Sequence, residues 1–195
     1  MTTRDKASHS APLPLILPAA IAVNGEKPSA KTEPRSNTAQ GEISIGRARM
    51  ADVPAIHQIV TIFADRGEML HRPLPEIYEN LRDFSVARLD GEVIGCVALH
   101  FLWADLAEIK SLAVREDRQL GGVGASLVRA CLTEAREVGL PRVFALTYKP
   151  RFFEKLGFEL ADVNAFPQKV WGECYRCPKF PSCTEIALSI DLSRE

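Results

Sequence analysis

From Ile43 onward, apolar and polar residues follow two periods. Val53, Ile56, Ile59, Val60 and Phe63 recur at the spacing of one helical face, so a helix capped by Asp52 is predicted to run to about Asp65. Pro54 falls in its first turn, where the missing N–H has no intrahelical partner to lose. A shorter helix is predicted from Pro75 to about Leu81. Phe84–Leu89 and Glu92–Phe101 read as strands joined at Asp90-Gly91, a dipeptide suited to a two-residue hairpin. Ala107–Val114 is a further strand. A glycine-rich loop and a helix from about Gly122 to Val138 follow, closed by Gly139. Arg142–Thr147 reads as a strand and Arg151–Leu156 as a short helix. Thr184–Leu192 reads as the last strand, with Ile186, Leu188, Ile190 and Leu192 on one face. This order predicts one α/β domain over residues 43–195. Its sheet is mixed but mostly antiparallel, with about six or seven strands flanked by helices.

Residues 1–42 lack that patterning. They contain five of the thirteen prolines and no aromatic residue, too little apolar bulk to offset the entropy of ordering, so a disordered tail is expected. Arg4 and Lys6 precede an apolar run, Leu13 to Val23, in the manner of a signal peptide, but Pro14 and Pro18 interrupt it. Export is not the expected fate. The other readings of this run, a short docking segment and a plain tail, both stay open.

The whole chain has 195 residues and a net charge of -1, which argues against a dedicated nucleic-acid binder. No apolar run reaches the roughly 20 residues of a membrane-spanning helix. Five cysteines, an odd number, do not suit a secreted disulfide framework, and a reducing cytoplasm is the expected compartment. Oligomeric state is not decided by the sequence, and a homodimer stays open.

The most informative stretch joins Glu108-Ile109-Lys110-Ser111-Leu112-Ala113-Val114 to Gln119-Leu120-Gly121-Gly122-Val123-Gly124-Ala125. A strand feeds a glycine-rich turn that opens a helix. Glycine lets backbone approach a ligand closely, and the N–H groups at a helix start favour an anion such as pyrophosphate. The spacing is neither a P-loop nor a dinucleotide fingerprint. On these residues alone, a tight turn without a ligand is an equal reading.

Gln119-x-x-Gly122-x-Gly124, the preceding Leu112-Ala113-Val114 and the downstream Phe153-Glu154-Lys155-Leu156-Gly157-Phe158 resemble the GNAT-type N-acetyltransferases, in the family's order. The resemblance covers roughly residues 43–195. It implies a transferase that uses acetyl-coenzyme A, with a sheet splayed at the coenzyme site. Backbone from Gln119 through Leu120, Gly121, Gly122, Val123 and Gly124 to Ala125 would cradle the pyrophosphate. Leu112, Ala113 and Val114 would pair with the pantetheine arm, Thr147 would mark the splay, and Phe152 and Phe153 would line the far wall of the channel. Those two phenylalanines also read as core aromatics.

Upstream, Arg47-Ala48-Arg49, Asp52-Val53-Pro54-Ala55-Ile56, Gly95-Cys96-Val97-Ala98-Leu99-His100 and Leu106-Ala107-Glu108-Ile109 are similar to the short, single-domain N-acetylglutamate synthases. Gly67-Glu68-Met69-Leu70-His71-Arg72 is similar to a segment of longer synthases. The resemblance implies glutamate as the small-molecule acceptor in the first step of arginine synthesis, with Arg72 on its carboxylate. An arginine fork suits that task; a solvated loop residue is the other reading. Other amines (an amino acid, a polyamine, a protein N-terminus) and a non-catalytic acyl-coenzyme-A sensor are the alternatives. The sequence holds no amino-acid-kinase domain, so arginine feedback through one is not expected. Glu108 is the expected general base; its bland reading is a strand-edge carboxylate paired with Lys110. Phe153 stands where many relatives carry an acidic tyrosine, and Tyr148 lies nearby.

Cys174, Cys177 and Cys183 form a Cys-x2-Cys-x5-Cys segment. A Cys-x2-Cys knuckle suits zinc, with a fourth ligand from elsewhere. Reduced thiols in a loop and a redox-labile disulfide are the alternatives. Lys110 and Lys169 complete the candidate acceptor-binding cations, with Arg176 and Lys179 adding charge that would draw a dicarboxylate; for Lys169, Arg176 or Lys179 singly, solvated surface charge is the other reading.

Overall fold

The Asp90-Gly91 turn organises the first half of the sheet. Both residues have positive φ, the backbone a tight hairpin with the twist of its strands requires. It joins β2 (Phe84–Leu89) to β3 (Glu92–Trp103), and β3 pairs in turn with β4 (Leu106–Val114), all antiparallel. The edge strand β1 (Ile43–Arg47) adds to β2. In the second half, β5 (Arg142–Thr147) pairs with β7 (Ile186–Asp191), which pairs with the two-residue β6 (Glu159–Leu160). The seven strands run β1-β2-β3-β4-β5-β7-β6, and β4 against β5 is the one parallel contact in that order. The computed structural model describes residues 42–193. The tail expected over residues 1–42 lies outside them, Glu42 excepted.

Side chains alternate across this sheet, so the two faces carry separate cores. Val97, Leu99, Ala107, Ile109, Val143 and Ala145 pack under α3 (Val123–Glu137) and the short α4 (Pro150–Glu154). Val86, Cys96, Ala98 and Ala113 meet α1 (Val53–Asp65) and α2 (Leu74–Glu79) on the other face. Leu106, Phe144 and Ala187 share that second face further along and receive Phe166, which precedes α5 (Pro167–Gly172). Phe144 and Phe166 stack with ring centroids 4.2 Å apart. Glu108 lies on this second face, on β4 between Leu106 and Lys110.

The predicted helix ends are close to those found. Leu140 N–H donates to Ala135 carbonyl and Gly139 N–H to Arg136 carbonyl, closing α3 as a Schellman turn. Three elements were not predicted. β1 is a half-exposed edge, β6 has two residues, and α5 has six residues without a helical apolar repeat. Among the described residues, no helix is long and apolar enough to cross a membrane.

Candidate active site

Strands β4 and β5 pair at Ala107↔Val143 and Glu108↔Phe144. Beyond that point no pairing between them is found among the described residues, although β4 runs on to Val114 and β5 to Thr147. The two strands therefore form a fork, and Glu108 lies at its base. Facing β3, the chain gains one residue: Ala98 pairs with Lys110 and Cys96 with Ala113. This bulge puts Ser111 at a φ of 53° and leaves Ser111 and Leu112 without a register partner. The Cys96 thiol donates to the Ser111 carbonyl at 3.6 Å, and burial pushes that thiol up to about 12.

A cavity of about 610 Å³ opens at the fork. Leu112, Ala113 and Val114 form one wall, and Thr147, Phe152 and Phe153 contribute another. Gln119, Gly122, Gly124 and Ala125 line the end nearest α3. Gln119 donates from Nε2 to the Val114 carbonyl at 3.2 Å, tying the loop to the end of β4. Gly122 is the N-cap of α3 with φ 72°, and a Cβ there would meet nothing within 4 Å. The first N–H groups of α3 have no intrahelical acceptor. Leu120 and Gly121 end the 3₁₀ helix Glu116–Gly121 that precedes Gly122. Val123 faces inward instead, 2% exposed in the α3 core, so only its backbone is available to a ligand. Phe153 is buried against Phe152 and Phe158 and also lines the cavity.

The opposite end of the cavity is charged. Arg72 lines it and pairs with Glu76 of α2 through Nη1. Lys110 lines it and pairs with Glu173 at 3.3 Å. Glu108 is 3% exposed and Lys169 6% exposed. Lys169 Nζ donates to Glu108 Oε2 and Glu173 Oε2, each at 2.8 Å. The alternative reading of Glu108 as a partner of Lys110 does not match the contacts found: α5, docked by Phe166, brings Lys169 to Glu108. Burial pulls the Lys169 ammonium down, but the Glu108 and Glu173 carboxylates outweigh it and its pKa is raised. Burial likewise pushes Glu173 up, yet Lys169 and Lys110 hold it at about 2. His100, opposite Glu108 on β3, contacts Asp83 through Nδ1 at 2.5 Å and approaches Glu173 at 4.0 Å. Glu173 was not among the candidates; its signal in the sequence is the helical i,i+4 spacing from Lys169.

Cys174, Cys177 and Cys183 all line this cavity as free thiols. Among the described residues, no three His, Cys, Asp or Glu side chains are grouped to hold a metal, which corrects the zinc expectation. The Cys177 sulfur accepts the Lys179 N–H at 3.5 Å and the Cys183 thiol turns to Glu185 at 3.7 Å. The same segment reaches the α1–α2 loop and the end of β5: Lys179 Nζ donates to the Gly67 carbonyl at 3.3 Å and to the Tyr148 hydroxyl at 3.0 Å.

Residues 55–158 match the Acetyltransferase (GNAT) family. The chain belongs to that family. It is an acyltransferase, a GNAT enzyme that uses acetyl-coenzyme A. An N-acetyltransferase of Chlorobaculum tepidum is 42% identical over 144 residues, 74% of this chain and 93% of its own. An amino-acid acetyltransferase of Mycobacterium tuberculosis is 39% identical over 68% of this chain and 77% of its own. A Mycobacterium tuberculosis structure in complex with CoA and NLQ superposes with a TM-score of 0.68 and 33% identity, over 76% of this chain and 99% of that one. The N-acetylglutamate synthase of Neisseria gonorrhoeae, complexed with coenzyme A and N-acetyl-glutamate, gives 0.69 and 30% identity over 79% of this chain; this chain spans 36% of that larger protein. The fork, the glycine turn at α3 and the free edge of β4 fit a GNAT coenzyme site.

Proposed function

We propose that this GNAT enzyme acetylates the α-amine of L-glutamate, the entry reaction of arginine synthesis. The observation that carries the reading is the composition of the cavity's far end, where Arg72 and Lys110 share one space with the buried Glu108. Cationic side chains recognise a dicarboxylate, and a buried carboxylate receives the proton its ammonium must lose. The relatives named amino-acid acetyltransferase and N-acetylglutamate synthase support it.

In this reading acetyl-coenzyme A is a substrate that supplies a thioester carbonyl at the fork. Glu76 steadies Arg72 through Nη1, and the rest of the guanidinium faces the acceptor carboxylate. Glu108 accepts the amine proton, directly or through a water. The bulge at Ser111 and Leu112 offers backbone N–H to the developing oxyanion. Lys169, expected to grip the acceptor, is held by two carboxylates of the protein itself, whereas Arg72 and Lys110 each pair with one and keep further N–H donors for the acceptor. Loss of the usual tyrosine at Phe153 is tolerable because a thiolate is a fair leaving group.

Free-thiol release from acetyl-coenzyme A, measured against glutamate, aspartate, glutamine, lysine and spermidine, tests the reading. Glutamate is expected to exceed each of the others at least about tenfold in kcat/KM, the scale of one charged contact. Glu108→Gln is expected to lower kcat by about 10²- to 10⁴-fold with coenzyme affinity unchanged. A flat response across the panel, or preference for a polyamine, overturns the glutamate assignment.

A further inference from the structure

We propose that Lys169 is a positioning residue for this reaction: reaching from α5, it fixes the Glu108 carboxylate at the base of the fork and compensates its charge, while Glu173 tunes that hold. The inference rests on the reading of Glu108 as the base, and it assigns a task to a segment, residues 167–176, that the rest of the site does not require.

The physical need is plain. Glu108 is 3% exposed, with Phe144 beside it on β5. An unpaired buried charge is strongly destabilising. Lys169 meets that demand at 2.8 Å, from a side chain that is itself 6% exposed. Its second carboxylate, Glu173, is shared with Lys110 at 3.3 Å. The charged and titratable groups around Glu108 are therefore Lys169, Glu173 and Cys174 from the α5 segment, Lys110 on β4, and His100 on β3 with Asp83 behind it. Arg72 lines the same cavity from the α1–α2 loop.

Two substitutions push Glu108 in opposite directions. Lys169→Met removes the compensating charge while conserving most of the volume. Glu173→Gln removes a competing carboxylate, leaving Lys169 more fully to Glu108. The experiment measures kcat/KM against pH for both variants and for Lys169→Arg, with acetyl-coenzyme A affinity determined in parallel. The expected result is an acid limb displaced upward in Lys169→Met and downward in Glu173→Gln. Lys169→Arg is expected to return the limb toward its original place, and coenzyme affinity to stay within about twofold of wild type. A packing defect lowers the rate at every pH and does not move the limb in two directions. Unmoved limbs in both variants overturn the positioning role. Should Lys169→Met fail to fold, Glu173→Gln alone decides by the sign of its displacement. Glu108→Gln separates the two ideas: full turnover in that variant sinks the base reading itself, whereas lost turnover with unmoved limbs sinks only the part given to Lys169.

Discussion

Two glycines of the turn that opens α3, two residues apart, are expected to respond to alanine with opposite signs. Gly122 caps α3 with φ 72° and ψ 8°, the left-handed region, and a Cβ there meets nothing within 4 Å. Its alanine variant is therefore free of clashes, and the whole cost is backbone strain, about 1–2 kcal/mol. Gly124 is already inside α3. A Cβ there would lie 3.5 Å from Phe152 Cζ and 3.8 Å from Val114 Cγ2, ordinary contact distances. Alanine at that position loses less chain entropy on folding and is expected to stabilise by about 0.5–1 kcal/mol. For a domain of this size each kcal/mol moves Tm by about 2–4 °C, so Gly122→Ala falls by about 2–8 °C and Gly124→Ala rises by about 1–4 °C. Urea unfolding with a constant m-value is the cleaner assay, because it separates stability from changes in compactness. Gly122→Asn supplies the control: asparagine tolerates the left-handed region and should recover part of the loss. Equal stability of Gly122→Ala and wild type would refute the reasoning, since the turn would then not need positive φ at that residue.

Thiol labelling at pH 8 is expected to modify Cys174, Cys177 and Cys183 in the native enzyme and to spare Cys96 and Cys131, whose buried thiols are both pushed up to about 12. Peptide mass mapping before and after unfolding checks this; rapid native labelling of Cys96 would contradict the packing of β3 against β4. Acid is expected to loosen the α5 segment. Glu173 is depressed to about 2 in the fold, so the stability it contributes is present above its unfolded value near 4.3 and disappears as pH falls through about 2. Hydrogen exchange over residues 166–176 between pH 5 and pH 2 should show the loss, and Glu173→Gln should flatten it; identical profiles for both proteins would remove Glu173 as the cause.

Much of this was readable along the chain because it is local. The apolar repeat of α1, the Asp90-Gly91 hairpin and the Gly139 closure of α3 depend on residues within a few positions of one another. The turn from Gln119 to Ala125 is of the same kind, its glycine at 122 matching a positive φ. Cysteine spacing was a weaker guide. Cys-x2-Cys brings two sulfurs near in sequence, but whether they converge depends on where the backbone turns. Here one sulfur accepts a backbone N–H and another faces Glu185.

What the sequence determined by itself is the class of the sheet, the helices α1 to α4 and the glycine turn, since periodicity and backbone preference act over short spans. Tertiary structure alone decided the partner of Glu108. Lys110 is two residues away and Lys169 is sixty-one, yet the distant lysine makes the 2.8 Å contact. The cause lies outside both charges: Phe166 stacks on Phe144, the strand neighbour of Glu108, and that apolar contact carries α5 and its lysine over the fork. Burial then makes a close pair obligatory, and the residue that docking delivers is the one that provides it.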